Sequence, residues 1–230
     1  MYNTPIVDIF YTLLSLHRNG IDAWHRIREY RMNKIKIIAV LVFVFAAVGV
    51  QAKPKERKSL VVYFSRADEN AKVGYVTEGN TAIVAKLIAE KMNADIFEIV
   101  PEKPYPADYK SCIAYVKEEQ KNKARPAYTG TADVSPYDTI FIGYPIWWGD
   151  LPPVVYTFIE KNDMNGKTIV PFCTHEGSGM SGTAGVFRRM FKRSKITNGI
   201  SILGHTAQHD RHKADIAVTT QLKLMLRFIP

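Results

Sequence analysis

Three short stretches carry residue types that suit one ligand. The first is Ser65, which ends an apolar run, followed later by Gly79-Asn80-Thr81. A helix opening at Gly79 would offer free N–H groups and the positive end of its dipole, a setting for a phosphate. The Ser65 and Thr81 hydroxyls and the Asn80 amide would add hydrogen bonds, and Arg66 would add charge. The second stretch is Tyr144-Pro145-Ile146-Trp147-Trp148-Gly149-Asp150. Pro145 stops a strand, and two indoles then sit in a loop, where a large flat ring is placed to cover a flat ligand. The third is Thr174-His175-Glu176-Gly177-Ser178-Gly179. Its glycines would let backbone N–H and C=O groups approach a ring edge closely.

Each stretch also has a plainer reading. Asn80 or Thr81 can serve only as a helix cap. The tryptophans can simply plug the end of a sheet. His175 can be an ordinary polar loop residue.

The elements that must hold these loops follow from hydrophobic periodicity. Continuous apolar runs predict buried strands at 60–64, 139–143 and 168–174, with further strands at 95–100 and 199–203. Helical spacing predicts a helix from Gly79 with Ile83, Val84, Leu87, Ile88 and Met92 inward. It predicts another over 107–122 with Tyr109, Cys112, Ile113 and Val116 inward. Shorter helices are expected at 153–161, where Pro153 suits a first turn, and at 183–192, and a closing helix at 213–228. Residues 67–78 and 123–135 read as irregular.

Strands alternating with helices predict an α/β fold. It is a three-layer, doubly wound sandwich with a five-stranded parallel sheet of order 2-1-3-4-5. In that order strands one, three and four are neighbours, so the three loops converge at the switch point. Phosphate donors, stacking rings and edge-reading backbone in one crevice match a flavin mononucleotide, FMN.

These motifs resemble the flavodoxin family. They are Tyr63-Phe64-Ser65 leading to Gly79-Asn80-Thr81, then Gly143 to Gly149, then Thr174 to Gly179. The resemblance covers residues 58–228. It implies a flavodoxin-like sandwich binding FMN non-covalently. Ser65, Asn80 and Thr81 would hold the phosphate. Pro145, Ile146, Trp147, Trp148 and Gly149 would flank the isoalloxazine, one Trp stacking on it. Thr174, His175, Glu176, Gly177, Ser178 and Gly179 would line its other edge. The expected function is electron transfer as a carrier, with an unidentified redox partner protein. The alternative is an NAD(P)H-dependent quinone or flavin reductase of the same fold, and a third class is a binding module without flavin.

The chain departs from the family pattern in three ways. Thirteen residues separate Ser65 from Gly79, where family members have only a few. The formal charge is +9, whereas electron-carrying flavodoxins are acidic. The N-terminus has the layout of an export signal. Basic residues 32–36 precede twelve uncharged apolar residues, 37–48, and small or β-branched side chains stand before a cut after Ala52. Twelve to fourteen residues at about 1.5 Å each fall short of the roughly 30 Å hydrocarbon core. We therefore expect a cleaved signal peptide at 32–52, a leader at 53–58, the domain at 59–230 and an exported, periplasmic location, or a cytoplasmic one if the N-terminal segment is not a working signal. Residues 1–31 read as an over-extended start. An uncleaved segment would be the chain's one membrane contact.

The basic surplus is not a nucleic-acid signature, since no zinc-finger spacing or RNA-binding aromatic motif accompanies it. Arg188, Arg189, Lys192, Arg193 and Lys195 read as a solvated helix end. Cys112 and Cys173 read as buried apolar residues, and no cysteine follows the apolar run to take a lipid. Gly177-Ser-Gly179-Met-Ser-Gly182 matches the dinucleotide glycine pattern, but only one strand follows, too little for that fold. His205, His209 and His212 have the spacing of one helical face. Without apolar periodicity they read as an exposed loop rather than a metal site.

Overall fold

The computed structural model describes residues 58–226 continuously, together with isolated helical positions between 9 and 34. The chain divides into two compact units, residues 1–56 and 57–230, and the sheet belongs to the second. The expected signal peptide, leader and over-long start fall almost wholly outside the described residues. No helix among the described residues is long and apolar enough to cross a membrane.

Five positions in one parallel sheet organise the domain. In spatial order they are β4 (Asp95–Glu98), β1 (Ser59–Tyr63), β7 (Thr139–Pro145), β8 (Thr168–His175) and β10 (Ile200–Leu203). In chain order of the main strands this is 2-1-3-4-5, as expected for the doubly wound sandwich. The fifth position is split. A two-residue strand, β9 (Lys195–Ile196), pairs with the start of β8, and β10 pairs with its end. Gly199, at φ +88°, makes the break between them.

Side-chain alternation builds the layers. Leu60, Val62, Ile140, Ile142, Ile169 and Cys173 pack on one face, and Val61, Tyr63, Phe141, Val170 and Phe172 on the other. The first face is covered by α2 (Tyr109–Lys121), α3 (Pro153–Lys161) and α4 (Ala184–Met190). The second is covered by α1 (Asn80–Met92), α5 (Gly204–His209) and α6 (Arg211–Leu226). Gly143 is required in β7, because a Cβ there would lie 2.0 Å from the Phe172 ring. The outer edge of β10 is sealed by Gln221, which accepts from Ser201 N (3.0 Å) and donates back to Ser201 O (3.2 Å). One amide side chain thus imitates a further strand and blunts that edge.

Several expectations need correction. Residues 67–78 are not simply irregular. They hold an antiparallel hairpin, β2 (Asp68–Asn70) and β3 (Gly74–Val76). The strand expected at 95–100 leaves the sheet after Glu98. Ile99 is buried, and β5 (Val100–Pro101) pairs instead with β6 (Tyr128–Thr129), inside the second stretch read as irregular. Tyr109 is exposed, not inward, because it is the first residue of α2, whose core contacts are Cys112 and Val116. The His205 region is the short helix α5, not a loop. The His205 and His209 ring centres lie 4.7 Å apart, their planes tilted by 54°, and no cluster of three metal-ligating side chains forms among the described residues. The helix expected at 213–228 starts two residues earlier, at Arg211.

Candidate functional site

The carboxyl ends of β1, β7 and β8 bound a crevice of about 360 Å3, within the size range of small-molecule sites. Four elements line it. Loop one and its hairpin supply Arg66, Asn70, Ala71 and Asn80. The tryptophan loop supplies Pro145, Ile146, Trp147, Trp148 and Gly149. Loop three supplies Thr174, His175, Glu176 and Ser178. The α2 helix supplies Tyr109, Cys112, Ile113 and Val116.

The start of α1 is built by close approach. Gly79 is the N-cap, and a Cβ there would stand 2.3 Å from both Arg66 O and Ser65 Oγ. Without a side chain, the helix end seats directly on the strand end. Ser65 Oγ accepts from Ala82 N (3.0 Å), which leaves the hydroxyl hydrogen able to donate outward. The Asn80 and Thr81 N–H groups are the first two of the helix and have no intrahelical acceptor. Thr81 is buried, and its hydroxyl lies 2.7 Å from that of Thr174. Asn80 Oδ1 is buried without a partner.

Arg66 behaves differently from the simple counter-charge that the sequence suggests. It is 8% exposed. Nη1 donates to Glu69 O (2.6 Å), and Nη2 donates to Pro106 O (2.6 Å) and Ala107 O (2.5 Å). Only Nε is left buried without a partner. The side chain staples the hairpin base to the segment before α2.

The two tryptophans divide the work. Trp147 and Asp150 exchange both backbone hydrogen bonds at 3.0 Å. Trp148 and Gly149 both have positive φ, +52° and +79°, so the turn is of type I′. Trp147 is anchored inward. Its ring meets Phe64 and Tyr105 edge-on at 5.3 and 5.0 Å, and its carbonyl accepts from Gln120 Nε2 (2.9 Å). Trp148 is 57% exposed. Its Nε1–H donates to Ile113 O on α2 (3.1 Å), and the Lys117 ammonium sits 5.3 Å from its ring centre. A bulky residue held at positive φ is a strained choice that folding alone does not favour.

Loop three is fixed to both neighbours. Ile146 N donates to Thr174 O (2.9 Å). His175 Nδ1 accepts from Gly177 N (3.0 Å), which assigns the ring hydrogen to Nε2. Burial lowers the His175 pKa, so the neutral ring is favoured. Glu176 turns its carboxylate to the start of α5, where Oε1 accepts from His205 N (3.1 Å). Burial raises its pKa, against the opposing pull of the His205 N–H and Lys72. Gly204 makes this packing possible, since a Cβ there would lie 2.2 Å from Asn80 Nδ2 and 2.4 Å from Glu176 Oε1.

The structure thus brings together at the crevice Arg66, Asn80, residues 145–149, Thr174, His175, Glu176 and Ser178. Ser65, Thr81, Gly177 and Gly179 are not among the lining residues; they shape the loops behind it. Asn70, Ala71 and the α2 residues were not foreseen. The long spacing between Ser65 and Gly79 was the available signal for the first two. The α2 residues carry none, because a half-buried helix face looks the same whether it meets core or ligand.

The flavodoxin family's sequence pattern matches residues 58–216. The chain belongs to the flavodoxin family. A crystal structure from Bacteroides eggerthii, of a protein classed as a flavoprotein, shares 29% identity over 74% of this chain and 98% of its own, with a TM-score of 0.59. A second, from Bacteroides uniformis and classed likewise, shares 30% identity over 71% of this chain and 98% of its own, with a TM-score of 0.56. A flavoprotein in complex with FMN from Lactobacillus acidophilus shares 21% identity over 63% of this chain and 92% of its own, with a TM-score of 0.49. Among curated proteins no sequence matches. The flavodoxin-like order β4-β1-β7-β8-β10 places the crevice at the reversal between β1 and β7, where such sheets bind ligands.

Proposed function

We propose that this flavodoxin-family protein binds FMN non-covalently in the crevice and acts as an electron-transfer carrier. The observation that carries the reading is the span from the open N-terminus of α1 at Asn80 to the exposed indole of Trp148 within one crevice. A phosphate suits the first end and a flat ring the second. The orphaned Asn80 Oδ1 and Arg66 Nε are an acceptor and a donor, and hydroxyl groups between phosphate and ring would satisfy both.

When bound, the flavin supplies the redox chemistry, taking up and releasing electrons singly or in pairs. The chain's own part is to bind and tune. Asn80 and the α1 N–H groups hold the phosphate end, and Ser65 fixes the helix start behind them. Trp148 covers a ring face, and Trp147, Ile146 and Pro145 keep water from that side. Thr174, His175 and Ser178 border the edge with neutral groups, and Glu176 turns its carboxylate away to the start of α5.

Carrier rather than reductase is supported by the cations. Arg66 is the one cationic residue among those lining the crevice, and both its terminal nitrogens are engaged. The single phosphate of FMN is met by the α1 N–H groups, and the crevice lining holds no free cation for the further phosphates of a nicotinamide dinucleotide. We also infer an exported, periplasmic location from residues 32–52, as the sequence pattern supports. The test of function is spectroscopic. Purified protein should be yellow, or should quench FMN fluorescence on mixing. Anaerobic NADPH should leave the colour unchanged. Rapid bleaching would make it a reductase, and a colourless protein that quenches nothing would make it a flavin-free binding module.

A further inference from the structure

The hairpin between Ser65 and Gly79 leaves the end of β1 and touches loops on both sides of it. Its base is firmly held. Beyond the Arg66 staple, Glu69 N donates to Ala107 O (3.2 Å) and Glu69 Oε2 accepts from Tyr109 N (2.9 Å). The Asn70 side-chain amide donates to Arg66 O, Ala67 O and Asp68 O. On the return limb, Glu78 binds Lys86 and Arg211, and its carbonyl accepts from Gln208 (2.6 Å).

The tip is held differently. Lys72 and Gly74 take positive φ, +59° and +70°. From the tip, Lys72 Nζ donates across the crevice to Glu176 O (3.0 Å). In the sheet β7 stands between β1 and β8, so this bond spans the carboxyl end of β7. Asn70 and Ala71, the two residues before Lys72, line the crevice, whereas Lys72 does not.

We propose that the Asp68–Val76 hairpin is a strap over the crevice, that Lys72 on the Glu176 carbonyl is its latch, and that unlatching governs how fast the flavin enters and leaves. The inference rests on the FMN reading above. A latch that does not touch the ligand acts on entry and exit alike. Removing it therefore raises both rates by one factor and leaves the equilibrium constant unchanged. Lys72 is exposed, so the bond is a modest one, and loss of it is expected to raise both rates about threefold to tenfold.

Stopped-flow quenching of FMN by the full chain tests this with wild type, Lys72→Met and Lys72→Arg. Lys72→Met should raise the association and dissociation rates together, and Lys72→Arg should restore both. Unchanged rates overturn the strap, and so does a change in dissociation alone, which would mean that Lys72 touches the ligand. Hydrogen exchange on flavin-free protein keeps the two readings apart. Lys72→Met should speed exchange at residues 71–74 and leave 66–69 as they are. If exchange does not change, the latch falls even though FMN binds. If wild type binds no FMN, the function above falls and the gating with it, whatever the exchange shows.

Discussion

The hydroxyls of Thr81 and Thr174 meet at 2.7 Å in the buried interior, 93 residues apart in sequence. One belongs to the first turn of α1 and the other to the end of β8. Their bond fixes the start of α1 against loop three. Replacing one by valine leaves the other hydroxyl buried without a partner, at about 1–3 kcal/mol. Replacing both removes the orphan. Urea unfolding of Thr81→Val, Thr174→Val and the pair should therefore show the double variant losing clearly less than the two singles combined. Strict additivity would mean that the hydroxyls do not pair.

The adjacent tryptophans should separate in experiment. Trp147 is packed between Phe64 and Tyr105, so Trp147→Ala should cost about 3 kcal/mol of stability. Trp148→Gly loses an exposed ring but relieves positive φ in a type I′ turn, where glycine is at home. Its stability should stay within about 1 kcal/mol of wild type. Its FMN affinity should fall at least about tenfold, the scale of a lost aromatic stack. Thermal melts and fluorescence titration read the two effects. A Trp148→Gly protein that binds FMN normally would remove that ring from the site.

Gly79 is a packing requirement and not a conformational one. Its φ of −71° suits any residue, but its Cβ would strike Ser65 Oγ and Arg66 O at 2.3 Å. Gly79→Ala should cost about 2–3 kcal/mol, as overpacking does. Gly166→Ala has open space and only a positive φ of +80° to overcome, so about 1 kcal/mol is expected there. Chemical denaturation of both variants checks the order, and a Gly79→Ala protein as stable as wild type would contradict the seating of α1 on β1.

Acid should weaken the fold through His175. Burial holds its pKa below the ordinary 6.5, and its Nδ1 is already occupied as an acceptor. As pH falls below about 6.5 the unfolded chain takes up a proton that the folded one resists, so stability declines, then levels once the folded group has also titrated. Glu176 has the opposite sign. Its raised pKa means that the folded state keeps the proton longer, so its contribution declines as pH rises through the ordinary carboxylate value of 4.5. Urea midpoints between pH 7 and pH 5 should be flatter for His175→Gln than for wild type. Equal slopes would assign the acid loss elsewhere.

The sheet was legible because parallel strands buried on both faces leave runs such as Leu60-Val-Val-Tyr and Ile140-Phe-Ile with no other explanation. The convergence of Asn80, Trp147 and Thr174 followed from the strand order, and the three motifs suffice to point to the family. The fifth strand's division was hidden, since Gly199 reads equally as a strand start or a break.

What only the folded chain decided lies where one residue's role depends on a distant partner. Trp147 and Trp148 are chemically identical neighbours, and a single turn with two positive φ angles sends one into the core and the other to solvent. Arg66 looks like a phosphate ligand until Pro106 and Ala107, forty residues on, claim its guanidinium. The hairpin at 68–76 has little apolar patterning, because its stability comes from those carbonyls and not from a buried face of its own. Periodicity records which side of an element meets the core. It holds no record of bonds made across loops, so fold and family could be read from the chain, and the division of labour inside the crevice could not.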